Sequence, residues 1–358
     1  MVRQSGDREK TLYNVSTNTG PKSKTGLLED LVQSLKTRDI TKDPLSKEEA
    51  VSLMGARGSD LMDLVAVSGR VRQEMLGNKV RLCGIVNARS GGCSEDCAFC
   101  AQARDSEAKI DHYGLLDEET IFAAARSAQD SGAGEFSIVT SGRAVKSKRE
   151  VSIIVSAVKR IRKETKLETC ASLGVLDEET LATLKDAGLQ RFHHNLESSP
   201  SYYPNVCSTH SFEEKIRTAQ RVKAMGLKLC SGGIFGLGES LVQRVEMLMV
   251  LAELSPDSVP INFLNPVEGT RLQAQSLLTS QEAVAVVAVA RLILPGKHII
   301  LCGGREVTLR SLQPLALLAG ASGLLVGDYL TTRGRPAGED LEMIRDLGFE
   351  PYYANVEG

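Results

Sequence analysis

The sequence predicts a (β/α)8 TIM-type barrel preceded by a helical extension, and three observations predict it. Short β-branched runs alternate with amphipathic helical segments through most of the chain. There are eight such runs, which suits a closed barrel better than an open doubly wound sheet. Three cysteines crowd the turn after the first run, where a barrel of this kind carries its chemistry, at the C-terminal ends of the strands.

Residues 1–26 (MVRQSGDREKTLYNVSTNTGPKSKTG) are polar with almost no apolar periodicity and read as a tail that cannot repay its ordering entropy. Residues 27–78 carry apolar residues at helical spacing, with Ser46 and Glu49 placed as a capping box. The barrel is expected over 79–351 and a short tail over 352–358. Its strands are VRLCGIVNA, EFSIVT, LETCASLG, QRFHHNL, LKLCSGGI, DSVPINFL, HIILCGG and GLLVGD. The helices between them begin at acid-rich turns and stop at Gly132, Gly188, Gly226, Gly320 and Gly348, as N-terminal dipole and C-cap preferences require.

Composition narrows the function. The 358 residues carry 43 Lys+Arg against 45 Asp+Glu, so no charge excess points to nucleic acid or an anionic membrane. No apolar run reaches the length of a membrane span and the N-terminus lacks a secretory h-region, which predicts a cytoplasmic protein with a small-molecule partner. Eight cysteines in that reducing compartment read as ligands before they read as disulfides.

Cys93, Cys97 and Cys100 stand as Cys-x3-Cys-x2-Cys within GGCSEDCAFC. Structural zinc wants four ligands, usually as two pairs, whereas three crowded thiolates suit a 4Fe-4S cluster with one iron left without a protein ligand. With Phe99 before the last cysteine, the motif resembles the radical S-adenosylmethionine superfamily. That resemblance implies S-adenosylmethionine on the fourth iron and a 5'-deoxyadenosyl radical as the reagent.

The segments HHNLESSPSYYPNV, CSGGIFGLGES, SVPINFLNPVEGTRL, GGREVTLRSLQPLALLAGA and VGDYLTTRG, in this order, resemble the biotin synthase family over roughly residues 45–351. The resemblance implies sulfur insertion into dethiobiotin, an auxiliary iron-sulfur cluster as sulfur source, an electron donor such as flavodoxin or ferredoxin, and a homodimer. It implies that Asn195 and Asn262 bind substrate, with Asn195 also reaching the cofactor, and that Glu197 replaces the family's ribose-binding Asp. Phe99 and Gly236 would line the cofactor site, and Thr331 and Thr332 would hold the substrate carboxylate. Cys207 reads as an ordinary thiol, and His193 and His194 as packing residues.

The sequence departs from the family at its second cluster. The usual two-iron site uses three Cys and one Arg; Cys170, Cys230 and Arg305 match, but the third Cys is Ser137. A hydroxyl is a poor substitute for a thiolate on iron. Cys302 is new, and Cys83, Cys170, Cys230 and Cys302 fall on alternate strands, which share an interior layer. The expectation is a four-iron auxiliary cluster on Cys170, Cys230 and Cys302, its last iron on Cys83 or an extra sulfide, with a two-iron cluster as the alternative. Competing readings are a related radical enzyme, such as a hydrogenase-cofactor maturase or a tyrosine lyase, and a non-catalytic iron-sulfur or zinc scaffold.

Overall fold

The computed structural model describes residues 24–353. The strands are β1 (Lys79–Arg89), β2 (Glu135–Thr140), β3 (Glu168–Ser172), β4 (Arg191–His193), β5 (Lys228–Cys230), β6 (Gly233–Phe235), β7 (Ser258–Phe263), β8 (His298–Leu301), β9 (Gly323–Leu325) and β10 (Glu350–Tyr352). All pair in parallel, and β9 returns to β1, so the sheet closes. The helices are α1 (Lys24–Leu35), α2 (Lys47–Met54), α3 (Gly58–Leu76), α4 (Glu118–Asp130), α5 (Lys148–Glu164), α6 (Glu178–Asp186), α7 (Phe212–Ala224), α8 (Leu241–Leu254), α9 (Ser280–Ile293), α10 (Arg305–Leu309), α11 (Gln313–Leu318) and α12 (Ala337–Asp346).

The expected fifth strand is one stave in two pieces. β5 and β6 both pair with β7 in an unbroken register, Cys230 with Ser258 and Gly233 with Ile261. Between them the ladder lapses opposite Pro260, which has no N–H to donate. A side chain at Gly232 would strike the Pro260 carbonyl. The helix expected after Arg305 is likewise divided, into α10, a 3-10 turn over 310–312 and α11, because Pro314 cannot continue a helix from within.

Local signals set the element ends. Asp117, Ser147, Asp177, Ser211, Ser240 and Thr279 each cap a helix by accepting from the third backbone N–H, and Ser46 with Glu49 forms the expected capping box. The five glycines expected to stop helices all have positive φ. α9 is apolar on every side and almost wholly buried, because α2, α3 and α11 cover the face turned away from the barrel. The N-terminal segment is therefore a cover for the last barrel helices.

Two expected boundaries move. The tail expected over 1–26 lies outside the described residues, except that Lys24 opens α1. The barrel was expected to end at 351, but Tyr352 belongs to β10, which pairs Glu350–Tyr352 with Lys79–Arg81 of β1. Arg81 also lies over the Tyr352 ring, 4.4 Å from its centroid, which holds this strand down. Residues 354–358 of the expected C-terminal tail lie outside the described residues.

Candidate active site

Inward-facing residues of all the barrel staves line one chamber of about 440 Å3. At its mouth, β1 leads into Gly91 and Gly92, both in left-handed backbone (φ 73° and 60°). A side chain at Gly91 would overlap the His112 ring, so the turn requires glycine there. Gln102 accepts from the Gly91 N–H at 3.0 Å, and successive turns link Cys100 to Cys97 and Ala103 to Cys100. Cys93, Cys97, Cys100 and Phe99 are thereby delivered to the chamber wall. These three sulfurs do not gather within 4.8 Å of one another. An ion with bonds of about 2.3 Å reaches sulfurs no more than about 4.6 Å apart, so the trio fits a cage of several irons rather than one ion.

A clasp fixes this loop. Asp96 accepts from the backbone N–H groups of Ser208 and Thr209 at 2.9 and 3.2 Å and from the Ser208 hydroxyl, tying the cysteine loop to residues 207–210. Burial works against the Asp96 carboxylate, but those hydrogen bonds outweigh it and hold its pKa well below the usual range. Arg271 donates to the carbonyls of Asp96 and Val206, and Arg143 bridges Glu95 and Glu214. Within the clasp, Cys207 Sγ lies 3.9 Å from Cys97 Sγ and 3.5 Å from His210 Nε2. Cys207 is thus no isolated thiol, a correction to the sequence reading. Cys-x2-His at 207–210 was the available signal.

Cys83, Cys170, Cys230 and Cys302 all line the deep part of the same chamber, as the odd-strand argument requires. No three of them fall within a single ion's reach. Burial is the largest cause raising each thiol's pKa, to about 12 for Cys170 and about 11 for Cys230, where nearby Arg191 pulls the other way. Ser137 pairs in register with Cys170, and its buried hydroxyl lies against that thiol and pulls its pKa down. Four sulfurs around one space fit an iron-sulfur cluster. His193 is also here, with Nδ1 3.3 Å from Cys230 Sγ, so the packing role read for it is incomplete.

Arg305 stands behind the chamber wall, near enough to Cys302 to pull that thiol's pKa down. Its guanidinium is fully buried against Asp340, with Nη2 to Oδ2 at 2.6 Å and Nη1 to Oδ1 at 3.0 Å, and also donates to Gln313, Tyr329 and the Leu325 carbonyl. It has no donor left over and does not line the chamber.

Between mouth and sulfur layer lie Asn195, Glu197, Asn262 and Thr331. Asn195 accepts from the Gly232 N–H and donates to Glu197; Asn262 accepts from the Gly303 N–H and donates to the Gly233 carbonyl. Each amide therefore braces its neighbours and still keeps one N–H and one lone pair. Glu197 sits in left-handed backbone (φ 71°), rare for a residue of its size, and burial raises its pKa. Gly236 and Thr332 lie off the chamber wall. The Gly236 N–H is taken by Glu239, and the Thr332 carbonyl closes a turn with the Tyr329 N–H.

Residues 88–251 match the Radical SAM superfamily and residues 260–350 the Biotin and Thiamin Synthesis associated domain. The chain is 46% identical over 323 residues to the biotin synthase of Citrifermentans bemidjiense, covering 90% of this chain and 98% of that one. It is 50% identical over 304 residues to the biotin synthase of Pelobacter propionicus, covering 85% and 93%. Among solved structures, methylornithine synthase superposes with a TM-score of 0.78 at 20% identity, covering 90% of this chain and 98% of that chain. The FeFe-hydrogenase maturase HydG from Carboxydothermus hydrogenoformans gives 0.78 at 18%, covering 93% and 80%. The likeness to these two structures is one of fold.

Proposed function

The chain belongs to the biotin synthase family, and from that premise we propose which of its residues carry the reaction. It is a radical S-adenosylmethionine sulfurtransferase that inserts sulfur into dethiobiotin to form biotin, using a 4Fe-4S cluster and S-adenosylmethionine. Bound together, these two supply the radical that removes hydrogen from a saturated carbon.

The chain's own residues hold, orient and dry the site. Cys93, Cys97 and Cys100 hold the radical-generating cluster, with Phe99 packed beside it. Asn195 and Glu197 orient the cofactor ribose, and the spare donor and acceptor on Asn195 and Asn262 match a cyclic urea. Thr331 meets the substrate carboxylate, while Thr332 and Gly236 support the turns behind the wall. In this reading residues 79–352, from β1 to β10, are the catalytic barrel, and α1 to α3 are its cover. The enzyme works in the cytoplasm as a homodimer, reduced by a flavodoxin- or ferredoxin-like donor.

The auxiliary cluster is a four-iron type on Cys170, Cys230 and Cys302, with the remaining iron on Cys83 or an extra sulfide. The observation that carries this reading is the joint placement of four cysteines on one chamber while Arg305, needed as a ligand by the two-iron alternative, is saturated by Asp340. A sulfide that is not part of the cage could leave without dismantling it. Iron and sulfide counting with Mössbauer spectra on the reconstituted chain tests the assignment. About eight irons are expected from two four-iron clusters, and about six would return the site to the two-iron type. Anaerobic incubation with dithionite, S-adenosylmethionine and dethiobiotin must yield both 5'-deoxyadenosine and biotin.

A further inference from the structure

Cys97, Cys207 and His210 form the group of three metal-binding donors that closes most tightly among the described residues, all within 4.8 Å of one another. Cys97 Sγ lies 3.9 Å from Cys207 Sγ and 4.0 Å from His210 Nε2, and Cys207 Sγ lies 3.5 Å from that nitrogen. A tetrahedral ion with bonds of about 2.3 Å to sulfur and about 2.05 Å to nitrogen sets its donors about 3.8 Å apart for S to S and about 3.6 Å apart for S to N. Every observed separation falls within about half an ångström of these values. Small side-chain adjustments would therefore complete the geometry.

The surroundings are those of a ligating histidine. Tyr203 Oη lies 2.6 Å from His210 Nδ1, so that nitrogen's proton can be donated to Tyr203 while Nε2 faces the two sulfurs. Tyr203 is itself buried and packed edge-on against Phe212. The Asp96 clasp fixes Cys207, accepting from its thiol at 3.0 Å, and its hydrogen bonds from Ser208 and Thr209 persist when that proton is lost. Glu95 Oε2 comes within 3.6 Å of His210 Nε2 but is held by Arg143 and the Thr209 hydroxyl, outside the tight group, so the protein supplies three donors there. Three protein donors and one water describe an exchangeable ion rather than a locked structural one.

We propose that the cluster-free chain binds one divalent cation of borderline softness, of the zinc or ferrous type, on Cys97, Cys207 and His210, and that this ion and the radical-generating cluster exclude each other. Exclusion follows because both need Cys97, and it rests on the assignment of Cys97 to the cluster made above. At equal availability zinc outcompetes ferrous iron for such a donor set, so the site couples cluster assembly to the supply of the two metals.

The test uses the reduced, chelator-stripped full chain under anaerobic conditions, titrated with cobalt(II), whose tetrahedral thiolate complexes are coloured. Relative to the unmodified chain, Cys207→Ala and His210→Ala are each expected to lose one tetrahedral cobalt per chain, and Cys93→Ala to lose none. Tyr203→Phe should bind that cobalt roughly 10- to 100-fold more weakly. Loss of the same cobalt in Cys93→Ala with retention in Cys207→Ala would put the ion on the three-cysteine motif and overturn the proposal. One equivalent of zinc should then suppress cluster reconstitution in the unmodified chain but not in Cys207→Ala, and equal suppression in both would overturn the exclusion. Because Cys207→Ala is read by its cluster absorbance as well as by cobalt, misfolding is recognised, and Tyr203→Phe carries the test in that event. The cobalt readings need neither dethiobiotin nor turnover, so their failure is distinct from failure of the biotin synthase assignments.

Discussion

Replacing Arg305 with methionine separates a structural arginine from a cluster ligand. Arg305 and Asp340 are both 0% exposed and joined through two charge-assisted hydrogen bonds, at 2.6 and 3.0 Å. Arg305→Met keeps much of the volume but strands the Asp340 carboxylate, and breaking a buried pair in this way costs about 3–5 kcal/mol. Arg335, 3.6 Å from Asp340, offsets part of the loss, which puts the expected cost near the lower bound of about 3 kcal/mol. Urea unfolding of the cluster-free chain measures it, since bound clusters break two-state behaviour. The double variant Arg305→Met/Asp340→Leu should regain most of the stability, because no fully buried charge is then left: Arg335 keeps Glu339, and Glu306, which loses Arg305, keeps the Tyr329 hydroxyl. Iron content and Mössbauer spectra of reconstituted Arg305→Met should match the unmodified chain. Unchanged stability together with a lost or altered auxiliary cluster would refute the reasoning and make Arg305 a ligand.

Cys302→Ser is expected to lose about four irons, to abolish biotin formation and to retain S-adenosylmethionine cleavage; full iron content would remove Cys302 from the ligand set. Burial lowers the His298 pKa from 6.5 to about 3, so in the folded chain it gains its proton only at lower pH. The unfolded chain therefore binds a proton that the folded chain refuses, so the stability His298 contributes is whole above pH 6.5 and is lost as pH falls towards 3. At one pKa unit per 1.36 kcal/mol, reduced for partial exposure, the loss by pH 4 is about 2–3 kcal/mol. His298→Gln should flatten the denaturant midpoint against pH over that window, and an unchanged slope would exclude the effect.

The barrel was legible because its signals are local and repeated. Capping residues, glycine stops and alternating runs each report on a few neighbours, and they agree along the chain. The chamber's cysteines were legible for the same reason, since strand alternation carries Cys83, Cys170, Cys230 and Cys302 to the interior without knowledge of the helices. What pairs across long separations was not. Arg305 sits beside Gly304 in sequence but finds its partner 35 residues on, in α12, and nothing in GGREVTL names Asp340. Cys207 and His210 are brought to Cys97 by hydrogen bonds that Asp96 accepts from Ser208 and Thr209, across more than a hundred residues. A loop side chain has no periodicity from which its direction can be read.

The floor beneath the sulfur layer shows why the cysteines could be placed so deep. Arg81 and Arg191 interlock with Glu135 and Glu168, and Lys228 reaches Glu168 at 3.8 Å. Arg191, donating to Ser258 at 2.6 Å, pulls the pKa of the Cys170 and Cys230 thiols down, against Glu135 and, at Cys230, Asp257, which push it up. Burial keeps these thiols protonated, and Arg191 lowers the cost of the thiolates at Cys170 and Cys230 that an iron site requires. Cys83 lies six residues before the end of β1, about 20 Å of strand, while Cys93 follows beyond that end. On the assignment proposed above, the radical source would be carried at the mouth and the sulfur at the floor, with Asn195 and Asn262 between them. On that assignment Cys93, Cys97 and Cys100 at the mouth, and Cys83 with Cys170, Cys230 and Cys302 below, would mark the two ends of the path proposed for dethiobiotin.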